Sequence, residues 1–314
     1  MLVHIIVDYS YLYYKYKFQL ESGRMRKLTY PMEWHGVMME RDISQVYYSI
    51  KEIEGFRRKL EGIGHDVFVS VCFDMPSDRH KNDDVSEAAK KYKSSRTKHL
   101  SDEDFEMIQY VEKLLYDAGY NTYRFDGKES DDIIDYIVKH FSQAFDYNVI
   151  YTPDLDILTH VSDKVGVSRY KSTKGYSSID RNNFSEYIGA ELKCTMPYNG
   201  LILFKATVGD KSDDIDGIKK FGPKAFDKLV DYLTAHGVDW EQMGDCDQVK
   251  HILEQLVTQG YFTEEQGYQA LDSLTVVRPL DKWDGIEVPE PTRHSTAELR
   301  EKSYMKLGMK SLIV

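Results

Sequence analysis

Nine carboxylates in five short patches are the residues of this chain best suited to chemistry. Asp8 closes the apolar run 2–7, and Asp74 follows the run from Val67 to Phe73. Glu129-Ser130-Asp131-Asp132 opens an apolar, helix-like stretch, and Asp154 and Asp156 follow Val149-Ile150-Tyr151. Asp210 and Asp213 lie in Gly209-Asp210-Lys211-Ser212-Asp213-Asp214. Carboxylates crowded together repel, and a divalent cation with oxygen ligands relieves that repulsion. Glu129 and Asp132 are three apart, hence neighbours in a helical turn. In an extended segment, alternation puts Asp154 and Asp156 on one side. Any one patch is equally well explained as a helix cap or a polar turn; five of them beside strand ends are not.

Two further segments suggest what such a metal site would act on. From Arg79 to Lys98 seven Lys or Arg face three acids, a local +4 centred on Lys90-Lys91-Tyr92-Lys93-Ser94-Ser95-Arg96. Tyr92 can stack on a base while Lys93 and Arg96, on one face if helical, hold phosphates. The plain alternative is a solvated basic face. In Gly209–Ala225, glycines flank an apolar position and Gly222-Pro223 starts a helix, with Pro223 suited to the first turn. Such a turn exposes backbone groups able to grip a phosphate or a monovalent cation, and Lys219, Lys220 and Lys224 add charge.

The elements that must position these residues alternate. Short apolar or β-branched runs at 2–7, 67–73, 121–125, 147–151 and 165–169 predict strands, with helices over 42–60, 102–118 and 131–141 between them. Ser101 before Asp102-Glu103-Asp104 is a helix N-cap. Alternation of this kind predicts an α/β fold: a mostly parallel, twisted sheet with helices on both faces. Ligands of such sheets bind beyond the carboxyl ends of the strands, where these acids fall. Residues 76–100 read as a polar surface excursion or arch, and beyond about 190 helical signals dominate. The division expected is a core over 1–190 with an arch at 76–105, a helical region over 191–275, and a tail over 276–314.

At 314 residues the chain can bury a substantial core. Its net charge of −11 argues against nucleic acid, but nine of those charges are the carboxylates above, and the remainder is only −2. Cys72, Cys194 and Cys246 have no zinc spacing, and Cys72 sits in a strand as a small hydrophobe, which suits a reducing cytoplasm. No run approaches the ~18 apolar residues of a membrane span. The ten histidines form no HxxxH pair and receive no ligand role. Neither GxSxG nor GxxxxGK[ST] occurs, which disfavours a serine hydrolase or P-loop NTPase.

In this order the motifs resemble the 5′-nuclease (flap endonuclease-like) superfamily, in particular phage 5′→3′ exonucleases of the RNase H type. Ile5-Ile6-Val7-Asp8 and Val71-Cys72-Phe73-Asp74 look like its first two acidic motifs, and Tyr92–Arg96 like its arch motif. Glu129–Asp132 resembles E-A-D-D, Thr152–Asp156 resembles S-x-D-x-D, and Gly209–Ala225 the helix–three-turn–helix that holds duplex DNA. The likeness covers about 1–230. Tyr9, Ser130, Asp214 and Lys219-Lys220-Phe221 depart from the usual pattern, whereas every acidic position is kept.

The resemblance implies hydrolysis of a phosphodiester near the 5′ end of branched or nicked DNA, or of an RNA–DNA hybrid, in primer removal. It implies two Mg²⁺ ions, replaceable by Mn²⁺: one held by Asp8, Asp74, Glu129, Asp131 and Asp132, the other by Asp154, Asp156, Asp210 and Asp213. Asp131 and Asp154 would be central to catalysis, with Lys93 and Arg96 polarising the phosphate. Tyr92, Lys93, Arg96, Gly217, Lys219, Lys220, Gly222 and Lys224 would contact DNA, and the 217–222 turn would take K⁺. Replication proteins such as a single-strand binding protein or clamp are the implied partners, and the cytoplasm (the host's, if phage-encoded) the implied location. The rival readings are a PIN-like ribonuclease, a non-catalytic DNA-structure binder and a Mg²⁺ phosphatase. The first does not need Gly209–Ala225, the second would have lost acids, and the third has no use for a basic arch.

Overall fold

A computed structural model describes residues 1–75, 86–94, 101–171, 175–277, 283 and 285–313. The chain forms two compact units. The first holds the described residues of 1–76, 98–153 and 284–314, and the second those of 77–97 and 154–283. Residues 86–94 of the arch segment therefore group with the helical unit, and residues 101–105 and 285–313 with the first unit, unlike the linear division expected from sequence.

In the first unit four strands run parallel. They are β1 (Leu2–Asp8), β4 (Asp66–Cys72), β5 (Asn121–Tyr123) and β6 (Tyr147–Tyr151), in the order β5-β4-β1-β6. Their runs are nearly continuously apolar because helices cover both faces of the sheet. The helices of this unit are α1 (Tyr9–Glu21), α2 (Ser44–Gly62), α4 (Asp102–Asp117), α5 (Ser130–Phe141) and α11 (Ala297–Tyr304). In α2 the residues Val46, Ile50 and Ile53 recur at helical spacing and are all buried in the core with Val67, Val69 and Val71. Ser101 caps α4 in a full capping box with Asp104, as its position predicts.

A helix and a hairpin of two strands were not legible in the sequence. Helix α1 is rich in tyrosine and buries Tyr9, Leu12, Tyr13 and Tyr16, so its sequence shows no clean polar face. An antiparallel hairpin of β2 (Thr29–Trp34) and β3 (Val37–Asp42) turns through His35-Gly36, both at positive φ. The final residues are not a loose tail. Tyr304, Leu307, Met309 and Leu312 are buried in the core, and the hydroxyls of Tyr304 and Tyr120 both donate to the buried Glu54.

The second unit contains the short helix α3 (Glu87–Lys91), the antiparallel pair β7 (Val165–Lys171) and β8 (Gly175–Ile179), and α6 (Phe184–Leu192). It continues with α7 (Leu201–Val208), α8 (Pro223–Ala235), α9 (Cys246–Thr258) and α10 (Glu264–Val277). Pro223 is at the start of α8, where its missing N–H costs no helical hydrogen bond. Among the described residues no helix is long and apolar enough to cross a membrane.

Candidate metal centre and its basic foot

The parallel register explains how the first acidic patches meet. Asp8 is opposite Cys72, and Val7 is opposite Tyr151, so β1, β4 and β6 end at one edge. Beyond that edge Asp8 accepts from the hydroxyl of Thr152 at 3.0 Å and from that of Ser130 at 3.2 Å. Asp8 also caps α1, accepting from the Tyr11 amide. Asp74 accepts the Ser130 backbone N–H at 2.7 Å. Ser130, at the start of α5, thus ties two carboxylates from different strands to the positive end of a helix. Burial first, then the negative field of Asp8, Asp131 and Asp74, pushes the Cys72 thiol well up and keeps it protonated.

Glu129 and Asp132 are indeed neighbours, and they spend their carboxylates on a reciprocal capping box for α5. Asp132 is fully buried and accepts the Glu129 N–H at 3.1 Å. His4, the one histidine inside the sheet, hydrogen-bonds Asn148 and Ser70. Burial lowers its pKa to about 3, so it stays neutral and structural.

In the second unit Asp156, Asp210 and Asp213 place carboxylate oxygens within 4.8 Å of one another. Among the described residues this is the one group of three with the spacing for a metal ion. Hard oxygen ligands on a partly solvated rim suit Mg²⁺ or Mn²⁺. The segment is not extended as expected: Asp156 begins a 3-10 turn, and Asp154 accepts its N–H at 3.0 Å. Asp154 therefore stands outside the close group and holds Asp156 in place.

Lys205 was not foreseen. It is 4 % exposed on the apolar helix α7, and its ammonium pairs with Asp156 and, at 2.6 Å, with Asp210. Burial alone would raise the Asp210 carboxyl; the Lys205 ammonium and the Ser212 hydrogen bonds outweigh it and hold the group below its ordinary range. One ammonium thus already pairs with two of the three carboxylates and leaves the group net negative. The available signal was a lone lysine inside an apolar helix, five residues before Asp210.

The Gly209–Ala225 turn closes on itself. Asp210 and Ile215 exchange two backbone hydrogen bonds of 2.8 Å, and Ile218 donates to Thr207 at 2.7 Å. Gly209 and Gly217 both have positive φ, and a Cβ on either would meet the other strand's backbone below 3 Å. The turn does not offer all its amides to a ligand. Gly217 N–H donates to Ser273 at 3.2 Å and Lys219 N–H to Gln269 at 2.9 Å, both on α10. What remains at this turn is charge on the exposed side chains of Lys219, Lys220 and Lys224, with Gly222 at the helix start.

Two expectations for the arch change. Tyr92 does not present its ring for stacking on a base: it is 5 % exposed, packed with Ala88, Ala89, Ile215 and Val276. Lys93 does not continue the helix, because α3 ends at Lys91 and Lys93 has φ +53. Its N–H donates to the Asp213 carbonyl at 3.0 Å, and its ammonium lies 4.8 Å from the Tyr92 ring centre. Arg96 lies outside the described residues.

Comparison with known proteins bears on the fold and the family. The 5′-3′ exonuclease of Mycoplasma pneumoniae is 30 % identical over 232 residues, covering 69 % of this chain and 75 % of that protein. DNA polymerase I of Caldicellulosiruptor bescii is 32 % identical over 168 residues, but this chain spans only 19 % of the polymerase. The T5 5′-exonuclease with bound zinc has a TM-score of 0.56 at 17 % identity, covering 99 % of this chain and 95 % of that one. A bacteriophage T5 flap endonuclease with DNA and metal ions has a TM-score of 0.57, also at 17 % identity, covering 99 % and 96 %. At that identity both speak for the fold alone. Residues 4–189, more than half of the chain, match the family described as 5′-3′ exonuclease, N-terminal resolvase-like domain. The chain belongs to the 5′-3′ exonuclease family of nucleases.

Proposed function

We propose that this nuclease is a Mg²⁺-dependent, structure-specific 5′→3′ exonuclease and flap endonuclease. Its substrates are phosphodiesters near the 5′ ends of DNA flaps, nicked duplexes or RNA–DNA hybrids, as arise in primer removal. The observation that carries this reading is the Asp156–Asp210–Asp213 group, with the Lys93 backbone N–H bonded to the Asp213 carbonyl. Asp156, Asp210 and Asp213 would hold one divalent ion, and Asp8, Asp74 and Asp131 another, with Glu129 and Asp132 fixing the helix that carries Asp131. Bound there, divalent ions activate water and neutralise charge on the phosphate.

The chain's own groups do the rest. Ser130 and Thr152 orient Asp8 and Asp74, which keeps their oxygens fixed without a substrate. Lys93, whose backbone N–H is bonded to the Asp213 carbonyl, would offer its ammonium to a phosphate oxygen. Lys219, Lys220 and Lys224 hold the backbone of the duplex by charge, an attraction that weakens with salt. Three free thiols are consistent with work in a reducing cytoplasm.

The test is cleavage of 5′-flap DNA, nicked duplex and RNA–DNA hybrid with Mg²⁺, with Mn²⁺ and with EDTA. Cleavage of the DNA substrates with either metal and none with EDTA is expected. Cleavage that survives EDTA, or that requires single-stranded RNA, overturns the reading.

A further inference from the structure

Helix α3 has five residues, far below the length at which a helix holds itself. Its own cap is Ser86, whose hydroxyl accepts the Ala89 N–H at 3.1 Å. The rest of its support comes from α10 and the acidic turn. Asp272 Oδ2 accepts the Ala88 N–H at 2.9 Å, and Thr275 Oγ1 is 2.9 Å from Ser86 Oγ. Lys91 pairs with Asp216 at 2.7 Å, but both side chains are more than half exposed, so this pair contributes little. Beneath the helix Ala88, Ala89 and Tyr92 pack on Ile215 and Val276.

These contacts differ in strength. The Asp272 bond is charge-assisted, half-buried, and set at the first turn, where a negative charge complements the helix dipole. The other polar ties are neutral or solvated. Asp272 also lines a cleft of about 450 Å³ together with Glu87, Ala88, Lys91, Asp216, Lys219 and Tyr268. Two residues past the helix end stands Lys93, in a left-handed conformation that a lysine adopts only when its surroundings impose it.

We propose that Asp272 is a positioning residue for Lys93. By holding the first turn of α3 on α10, it fixes the direction in which the chain leaves the helix and so the place of Lys93, whose backbone N–H bonds the Asp213 carbonyl and whose ammonium lies over the Tyr92 ring. The inference rests on the role given to Lys93 above and extends it to a residue of α10 outside the Asp156–Asp210–Asp213 group.

The experiment measures single-turnover cleavage and equilibrium binding of a 5′-flap DNA in Mg²⁺. Asp272→Ala is expected to slow cleavage roughly tenfold with binding changed less than about twofold, since a small misplacement costs rate more than affinity. Asp272→Asn, whose amide oxygen still accepts the Ala88 N–H, is expected to restore most of the rate. In a Lys93→Ala background Asp272→Ala is expected to add no further loss, as for two residues acting through one another.

Wild-type cleavage by Asp272→Ala, an equal defect in Asp272→Asn, or a full additional loss in the Lys93→Ala background overturns the inference. If Lys93→Ala itself cleaves at the wild-type rate, the role of Lys93 falls and this inference with it. A slow Lys93→Ala beside a normal Asp272→Ala removes this inference alone. Should Asp272→Ala not fold, Asp272→Leu, which fills similar space but offers the Ala88 N–H no acceptor, carries the same test.

Discussion

The ammonium of Lys205 lies 2.6 Å from the carboxylate of Asp210 and also pairs with Asp156, so a buried cation shares the ligands of the candidate metal centre. Lys205 and a divalent ion would compete for the same oxygens, so the metal-free protein would need the lysine more than a loaded one.

Replacement of Lys205 by Met therefore destabilises the metal-free protein by about 2 kcal/mol, below the value for a fully buried pair because Asp156 and Asp210 are partly solvated. Mg²⁺ or Mn²⁺ recovers most of the loss. Asp210 is held below its ordinary value of 3.8, so its contribution is fully present above that pH and is lost as pH falls below it. The wild-type melting temperature should fall more steeply than that of Lys205→Met below about pH 4. Thermal melts in EDTA and in Mg²⁺ check both; equal melting temperatures in EDTA would contradict the account.

Asp131→Ala and Asp210→Ala should each reduce single-turnover cleavage of flap DNA by roughly 100-fold or more, while binding in Ca²⁺ stays within about threefold. Rapid-quench cleavage beside fluorescence anisotropy measures the two quantities. Turnover at the wild-type rate by either variant would sink the ligand assignment.

For Tyr92, burial predicts a stability effect and stacking would predict a binding effect. Tyr92→Ala should cost about 3 kcal/mol of stability, the usual range for a buried aromatic ring. Tyr92→Phe should be close to neutral, since the ring is what packs on Ile215 and Val276. Urea unfolding decides: an unchanged midpoint for the alanine variant with weaker flap binding would restore the stacking role.

Glu54 is buried and accepts hydrogen bonds from Tyr120, Tyr304 and Arg57, the last at 2.7 Å. Glu54→Ala leaves Arg57 buried without its main counter-charge and should cost about 4 kcal/mol. Deletion of 284–314 removes Tyr304 together with Leu307, Met309 and Leu312 and should abolish cooperative unfolding of the first unit. Circular dichroism melts of both variants test this, and a truncated chain that still melts cooperatively would show the C-terminal segment to be dispensable.

Much of this protein is determined by its sequence alone, because the relevant signals are local. Apolar runs of strand length, acids at their ends, the Ser101 and Glu129 caps and the Gly-Pro helix start each act within a few residues. That is why the parallel sheet and the acidic clusters could be read before any coordinates. Helix α1 escaped because tyrosines on several of its faces erase the amphipathic period. Tertiary structure alone decided which groups meet across long separations. Tyr92 is buried only because Ile215 and Val276 arrive from far along the chain, and Lys205 reaches Asp156 from 49 residues away. Side-chain burial and charge pairing depend on such contacts, and no local pattern encodes them. The nine acids were thus visible from the outset, but only folding brought Asp156, Asp210 and Asp213 together, put Asp154 on the Asp156 N–H and left Glu129 and Asp132 capping α5.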